Sequence, residues 1–394
     1  MSHTQADPAR LVRLMVVAGE ASGDLHGAGL VESLRRLEPR LSVSGMGGFR
    51  MRAAGVHLLA DAADTAVVGL TELWEKRRAL QTALRTLRAH LETDRPALVV
   101  CIDFPDFNLL LARTAHRLGI PVCYFISPQV WAWRRGRVRT IRRLVRKMLV
   151  LFPFEEALYR AAGVDVALVG HPLLDTLAAV PAREDCRQRL GVRDGATVLG
   201  LLPGSRAAEI RRHLPLLLEA ARQVRAAEPG VTVLLGLADS VDRPAVEAVL
   251  GRAGVSVEVI QGHTAEVMRA ADFLLAVSGT VTLEAAILGT PMLITYRVAP
   301  LTYWIGRLLV RVRHIGLPNL VAEKAIVPEI LQNDATPVRL ATTALDILRS
   351  PDRQASMRAN LADVRRRLGA PGAVERAARE ILTLLRPAAS TSTS

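Results

Sequence analysis

Two short stretches of this 394-residue chain are suited to holding an anion. In "LLPGSRAAEI", residues 201–210, an apolar run breaks at Pro203 into Gly204, Ser205 and Arg206 just where a helix can begin. Glycine lets the backbone approach a ligand closely, Ser205 can cap the helix, and the Arg206 guanidinium can make two parallel hydrogen bonds to phosphate oxygens. In "AVSGTVTLEAAILGTP", residues 276–291, Ser278, Gly279 and Thr280 repeat the arrangement, offering N–H groups and hydroxyls at a helix N-terminus. Glu284 follows Thr280 by four residues, on the same helical face but one place too far for a capping box. It is placed to accept hydrogen bonds from two vicinal hydroxyls, such as those of a ribose. A Walker A loop would carry a Lys-Ser/Thr pair after its second glycine; "LLPGSR" does not continue that way, which disfavours an ATP or GTP hydrolase. The two loops together fit a nucleotide-diphosphate pocket.

The first half carries a different chemistry. In "CIDFPDFN", residues 101–108, Asp103 ends a β-rich run that Pro105 prevents from continuing. A carboxylate at that place suits a general base that takes a proton from a hydroxyl, while Asp106 and Asn108 fit the turn and the cap of the next helix. "GEASGD", residues 19–24, is glycine-rich without being GxGxxG, so no dinucleotide site is read from it. Glu20 and Ser22 are candidate polar groups on a cleft floor; the alternative is that Ser22 or Asp24 caps the helix. Trp131 and Trp133 in "SPQVWAWRRGR" share one face if extended, which serves either a core or an amphipathic ligand.

The elements that must position these residues follow from periodicity. Apolar β-rich runs at 14–18, 41–45, 97–103, 122–127, 148–152 and 166–170 alternate with helical patterns at about 25–37, 80–92, 108–118 and 154–162. The rhythm restarts at 197–203, 231–237, 255–260, 273–277 and 291–296, then becomes wholly helical from Pro337 to Leu385. Near-continuous apolar strands alternating with helices predict parallel sheets covered on both faces, hence an α/β fold of two successive doubly wound sheets. The predicted divisions are 1–180, 181–340, a helical segment 341–386 and a disordered tail 387–394. Ligands of such sheets bind beyond the carboxyl ends of the strands, where every motif above lies.

Composition narrows the partners. Lys and Arg number 51 against 38 Asp and Glu, a formal charge of +13 that favours anionic partners. "RRGRVRTIRRLVRK", residues 134–147, is without an acid, and Val138, Ile141 and Val145 recur at helical spacing, which predicts a helix with one buried stripe and a cationic face. Residues 64–80 set Val67, Val68, Leu70, Leu73 and Trp74 before Lys76, Arg77 and Arg78, the layout of either peripheral contact with anionic lipid or an ordinary buried helix. Aromatic residues make up only 4% and no RNA-stacking signature occurs, which disfavours nucleic acid. Cys101, Cys123 and Cys186 stand far apart, arguing against disulfides and a zinc site, and no run reaches the roughly 18 apolar residues of a membrane span. A cytoplasmic protein that touches a membrane surface is expected.

"GEASGD", "DFPDFN", "SPQVWAWR", "GHPLLD", "LLPGSR", "SGTVTLE" and "LPNLVAEKAIVPEILQ" occur in the order and spacing of one family: over about residues 12–385 the chain resembles the lipid-A-disaccharide synthases. The resemblance implies a GT-B glycosyltransferase with two facing Rossmann-like domains and a C-terminal helical segment crossing back, often as a domain-swapped homodimer. It implies a peripheral enzyme at the inner face of the inner membrane. The implied reaction is inverting transfer of a 2,3-diacylglucosamine from its UDP derivative to the 6-hydroxyl of 2,3-diacylglucosamine 1-phosphate. By motif, the resemblance makes Asp103 the base, puts Arg206 on the donor phosphate and Thr280 and Glu284 at phosphate and ribose, and brings Asn319 of "LPNL" to the cleft. No metal or cofactor is implied, because such enzymes offset leaving-group charge with helix N-termini and basic side chains, and the chain has no DxD motif. The sequence departs from the family at Glu323, where Gly is expected, and the loop that places Asn319 is affected. The competing readings are another GT-B UDP-N-acetylglucosamine transferase or 2-epimerase, and a non-catalytic anionic-lipid-binding protein on the same scaffold.

Overall fold

A computed structural model of the protein describes residues 11–63, 72–130, 136–298 and 314–385, with the side chains of residues 21 and 72–76 excepted. Trp131 and Trp133, the tail 387–394, and the apolar part of segment 64–80 lie outside what is described; Arg77 and Arg78 are exposed. The chain forms two compact units, one of Met1–Pro172 with Ala370–Ser394, the other of Leu173–Gly369.

The first unit is built on β1 (Val12–Ala18), β2 (Leu41–Gly47), β3 (His57–Asp61), β4 (Leu98–Ile102), β5 (Val122–Phe125), β6 (Lys147–Val150) and β7 (Val166–Leu168). They pair in parallel in the order β3-β2-β1-β4-β5-β6-β7. Its helices are α1 (Ala21–Leu37), α2 (Phe49–Ala53), α3 (Glu72–Asp94), α4 (Pro105–Arg117), α5 (Arg137–Leu144) and α6 (Pro153–Ala161). Strand side chains alternate between the two faces. Leu14, Val16 and Ala18 of β1 join Leu98, Val100 and Ile102 of β4 in a core closed by Leu30, Val31 and Leu34 of α1. Met15, Val17, Val99 and Cys101 point the other way, to Leu87 of α3, Leu111 of α4 and Ile141 of α5. A sheet buried on both faces needs apolar residues at every position, which is why these strands read as unbroken runs.

The second unit contains α7 (Leu173–Ala178), α8 (Arg183–Arg189), β8 (Val198–Leu202), α9 (Ala207–Ala227), β9 (Thr232–Leu237), α10 (Arg243–Leu250), β10 (Glu258–Gln261), α11 (Thr264–Ala270), β11 (Phe273–Val277), α12 (Thr280–Leu288), β12 (Met292–Tyr296) and β13 (Glu329–Leu331). Its parallel sheet runs β10-β9-β8-β11-β12-β13. The edge strands β3 and β13 have no counterpart in the periodicity: β13 has only three residues, and β3 is only partly buried and so lacks a continuous apolar run.

Three expectations are corrected. The first division falls at Pro172, not 180, so "LLDTLA" opens the second unit as α7. Of the C-terminal helices, Pro337–Leu348 and Pro351–Arg367 belong to the second unit, and only Ala373–Leu385 belongs to the first, where Ala377, Ala378 and Ile381 pack under α1. The cationic helix spans 137–144 rather than 134–147. Val145 is extended, and Arg146 donates its N–H to the Val122 carbonyl at 2.8 Å, because Lys147 must enter β6 beside β5.

Asp24, one of two candidate caps for α1, has another use: its buried carboxylate accepts the N–H groups of Gly48, Arg50 and Met51 at 2.7, 3.0 and 3.0 Å and so caps α2. Glu323 ends the helix Leu317–Ala322 with φ 57°, in the left-handed region where glycine is the usual C-terminal residue. An L-residue there costs about 1–2 kcal/mol, of which the greater freedom of an unfolded glycine offsets about 0.4–1. Glu323→Gly is therefore expected to stabilise the fold by about 0.5–1 kcal/mol. A urea melt checks this, and a loss of stability would show that the Glu323 side chain is needed.

Candidate active site

In an open parallel sheet the crevice lies where consecutive connections leave to opposite sides, at the carboxyl ends of the two central strands. The strand orders put this point between β1 and β4 in the first unit and between β8 and β11 in the second. All the candidate residues except Asn319 follow those four strands.

In the first unit Asp103 comes directly after β4. It and Phe104 have φ 43° and 48°, two consecutive non-glycine residues in the left-handed region, before Pro105 starts α4. The strain is held from several sides. The Asp103 N–H donates to Phe125 at 3.2 Å, and its carbonyl accepts the Tyr124 hydroxyl at 2.5 Å and Asn108 Nδ2 at 2.7 Å. Asn108 is fully buried and also reaches the Ile102 carbonyl at 3.2 Å. It ties the turn together from inside the helix, while Asp106 turns outward to pair with Arg137. Gly19 lets the Phe104 ring close over the end of β1: a Cβ at residue 19 would stand 2.1 Å from the ring. The Asp103 carboxyl is thereby taken from water. Burial, and then the charge of Glu20, push its pKa up from 3.8 to about 6, partly opposed by the Phe104 N–H. Glu20, at the head of α1, and Ser22, in its first turn, are exposed.

In the second unit the loops after β8 and β11 line one cavity of about 340 Å³, bounded by Gly204, Ser205, Arg206, Gly279, Thr280 and Glu284 among others. Gly204 has φ 102°, and the chain's own Glu209 crowds it: a Cβ would lie 2.6 Å from Glu209 Oε2. The Glu209 carboxylate accepts the N–H groups of Ser205 and Arg206 at 3.2 and 3.3 Å and meets Arg206 Nη1 at 3.1 Å. The anion in this nest is thus internal. Arg206 remains 82% exposed, so the pair is a surface one worth about 0–1 kcal/mol and open to replacement by a doubly charged phosphate. Ser205 does not cap α9; Glu209, three residues after Arg206, does that work.

His213 connects this loop to the far side of the cavity. Its Nε2 accepts the Arg297 N–H at 2.9 Å, so Nδ1 carries the proton and donates to the Glu209 carbonyl at 2.8 Å. Burial lowers its pKa, which keeps the ring neutral, and the ring stacks on Tyr296, another cavity residue. Across the cavity, Gly279 precedes α12 and has open space where a Cβ would be. The Ser278 hydroxyl reaches the Ile315 carbonyl at 3.4 Å, and Thr280 is exposed. Glu284, one turn along α12, is half-buried. Burial raises its carboxyl, and no partner offsets that among the described residues.

Asn319 does not offer itself to a ligand. It is fully buried; Nδ2 donates to the Val327 carbonyl and Glu329 Oε1 at 2.9 and 2.7 Å, and Oδ1 accepts the N–H groups of Ile326 and Val327 at 2.7 and 3.0 Å. Both amide ends are committed, so it fixes the turn into β13 and is not a cleft residue. Asn108 organises its turn as the sequence led one to expect, whereas the roles of Glu209 and His213 have no counterpart in the sequence reading. Only Glu209 had a local signal, its place three residues after the start of a helix.

The sequence profile described as lipid-A-disaccharide synthetase matches residues 14–380. The chain is 49% identical to the lipid-A-disaccharide synthase of Syntrophus aciditrophicus over 95% of its length and 98% of that protein's, and 47% identical to that of Geobacter sulfurreducens over 95% and 97%. Among solved structures, the UDP-N-acetylglucosamine 2-epimerase of Neisseria meningitidis bound to UDP-GlcNAc superposes with a TM-score of 0.65 at 13% identity, covering 94% of this chain and 100% of the other. MurG of Acinetobacter baumannii gives 0.60 at 14%, covering 94% and 99%. These two show the fold, which is GT-B.

The Asp103 carboxyl gives a test. A base with a pKa near 6 is lost by protonation as pH falls, so any turnover that depends on it should fall about tenfold per unit below pH 6. Glu20→Gln removes the neighbouring negative charge, which favours ionised Asp103 and moves this acid limb to lower pH. A limb that stays in place would separate the two carboxylates.

Proposed function

The chain belongs to the lipid-A-disaccharide synthetase family, and from that premise we propose how its residues carry out the family's sugar transfer. The protein is an inverting glycosyltransferase. It joins UDP-2,3-diacylglucosamine and 2,3-diacylglucosamine 1-phosphate into the β-1,6-linked disaccharide 1-phosphate, with release of UDP. In our reading Asp103 takes the proton of the acceptor's 6-hydroxyl. The oxygen forms its bond to C1 of the donor sugar on the face opposite the diphosphate, the bond from C1 to the diphosphate oxygen breaks, and the electron pair leaves on UDP. Its charge is met by the N–H groups of the 204–206 loop, by Arg206 and by the N-terminus of α12, while Glu284 accepts the ribose hydroxyls.

The observation that carries this assignment is the pairing of two half-buried, under-compensated carboxylates, each at the switch point of its own sheet. One has a pKa of about 6, which leaves it mostly ionised yet basic at neutral pH. The other adjoins a glycine-lined cavity. A lipid-binding scaffold needs no such base.

No described helix is long and apolar enough to cross a membrane. The protein's place is proposed to be peripheral, at the anionic inner face of the inner membrane, supported by the charge of +13 and the acylated substrates. A domain-swapped homodimer is proposed as well, on the family resemblance. A single monomer mass in sedimentation equilibrium would remove the dimer.

Two substitutions test the roles, with disaccharide formation followed by mass spectrometry. Asp103→Asn should lower turnover by about 10² to 10⁴ without weakening UDP binding. Its effect on stability has the opposite sign. A carboxyl raised from 3.8 to about 6 in the fold loses stability as pH rises through that window, so the Asn variant should melt higher than wild type at neutral pH and lose the advantage toward pH 4. Normal turnover would take the base elsewhere. Arg206→Ala should raise the KM for the UDP-sugar about tenfold or more; unchanged affinity for UDP would contradict the phosphate role.

A further inference from the structure

The amino edge of the first unit's sheet, opposite the edge that carries Asp103, holds two cavities of about 500 and 450 Å³ that share His116, Arg143 and Leu144. They open where α4 and α5 end. Arg113, His116 and Arg117 stand in the last turns of α4, Arg142 and Arg143 at the end of α5, and Arg146 just before β6. Arg88 reaches the same rim from α3, its Nε buried without a partner.

Elsewhere in this arginine-rich protein guanidinium groups are often matched to acids, as in Arg160 with Glu156, Arg222 with Glu219 and Arg379 with Glu375. Here they are not. Among the described residues Arg113, Arg142, Arg143 and Arg146 form no ion pair or side-chain hydrogen bond, and Arg117 has only the Thr114 hydroxyl at 3.4 Å. The one lining carboxylate, Asp165, stands 4.0 Å from Lys147, whose ammonium also holds Glu380 at 2.7 Å. A cation at a helix C-terminus has a structural use in offsetting the dipole, and one per helix meets it. Three helices and a loop converge here instead, with forked donors whose geometry suits phosphate oxygens.

We propose that this edge is a second anion site, taking a phosphate-bearing ligand away from the sugar-transfer chemistry. The shared chemistry is a phosphate ester or diphosphate with net negative charge, which a soluble molecule or an anionic lipid headgroup can supply. Because the site is on the other edge of the sheet from Asp103, its occupant is not the reacting sugar.

The test uses the full chain and the triple variant Arg142→Ala, Arg143→Ala, Arg146→Ala, whose residues are exposed and outside the catalytic assignments. Equal melting curves and equal disaccharide formation with dispersed substrates establish that the variant is intact. One arm measures labelled pyrophosphate binding with excess UDP filling the nucleotide pocket. The other measures flotation with phosphatidylcholine vesicles with and without phosphatidylglycerol. Pyrophosphate bound by wild type and weakened about tenfold or more in the variant supports a soluble phosphate ligand. A comparable loss confined to phosphatidylglycerol vesicles supports a headgroup. Equal binding by the two proteins in both arms, or none by wild type in either, overturns the site.

Discussion

Parallel strand pairing is the constraint on which the rest of this protein depends. A parallel ladder aligns every strand's carboxyl end along one edge, and a chain that starts in the middle of its sheet must reverse its winding once. Both units do so, after β1 and β4 in one and after β8 and β11 in the other. The reversal parts two neighbouring loops and leaves a gap that no helix fills. Chemistry is placed there by topology, before any side chain is chosen.

The acids of the two units divide by how they are satisfied. Asp24 accepts three backbone N–H groups, and Glu329 accepts those of Ile315 and Gly316 at 3.0 and 3.1 Å together with the Asn319 amide. These carboxylates hold the chain in place, and their bonds replace the water they lost. Asp103 and Glu284 are desolvated with far less in return. A fold keeps such a group only where surrounding contacts are strong enough to impose it; around Asp103 the contacts are those of Asn108, Tyr124 and Phe104. Incomplete compensation is what sets the two acids assigned roles in the proposed transfer apart from the structural ones in this chain.

Much of this was legible in the residues, and the failures have physical causes. The long, doubly buried strands announced themselves because burial on both faces demands unbroken apolar runs. The three-residue strands β7 and β13 differ: β7 could be placed only by the rhythm of its neighbours, and β13 by nothing at all. The cationic helix was drawn too long because Val145 fits helical spacing and strand burial equally well, and pairing with β5 decided it. The loops around Asp103, Gly204 and Thr280 could be found from glycine, proline and strand ends. Asn319 could not be judged, since an amide beside a cleft and an amide locking a turn look alike until its four bonds are known.

Glu209 gives the 204–206 loop an anion of its own. With its carboxylate on the Ser205 and Arg206 N–H groups, the loop is shaped around a negative charge supplied by the chain itself. In the proposed transfer an entering diphosphate would exchange one anion for another, so little backbone ordering would be left for binding to accomplish. On that reading the same side chain, three residues away, would offer the donors a substitute as the product leaves. On the proposed reading, this internal competitor would ease the departure of UDP from so complementary a nest.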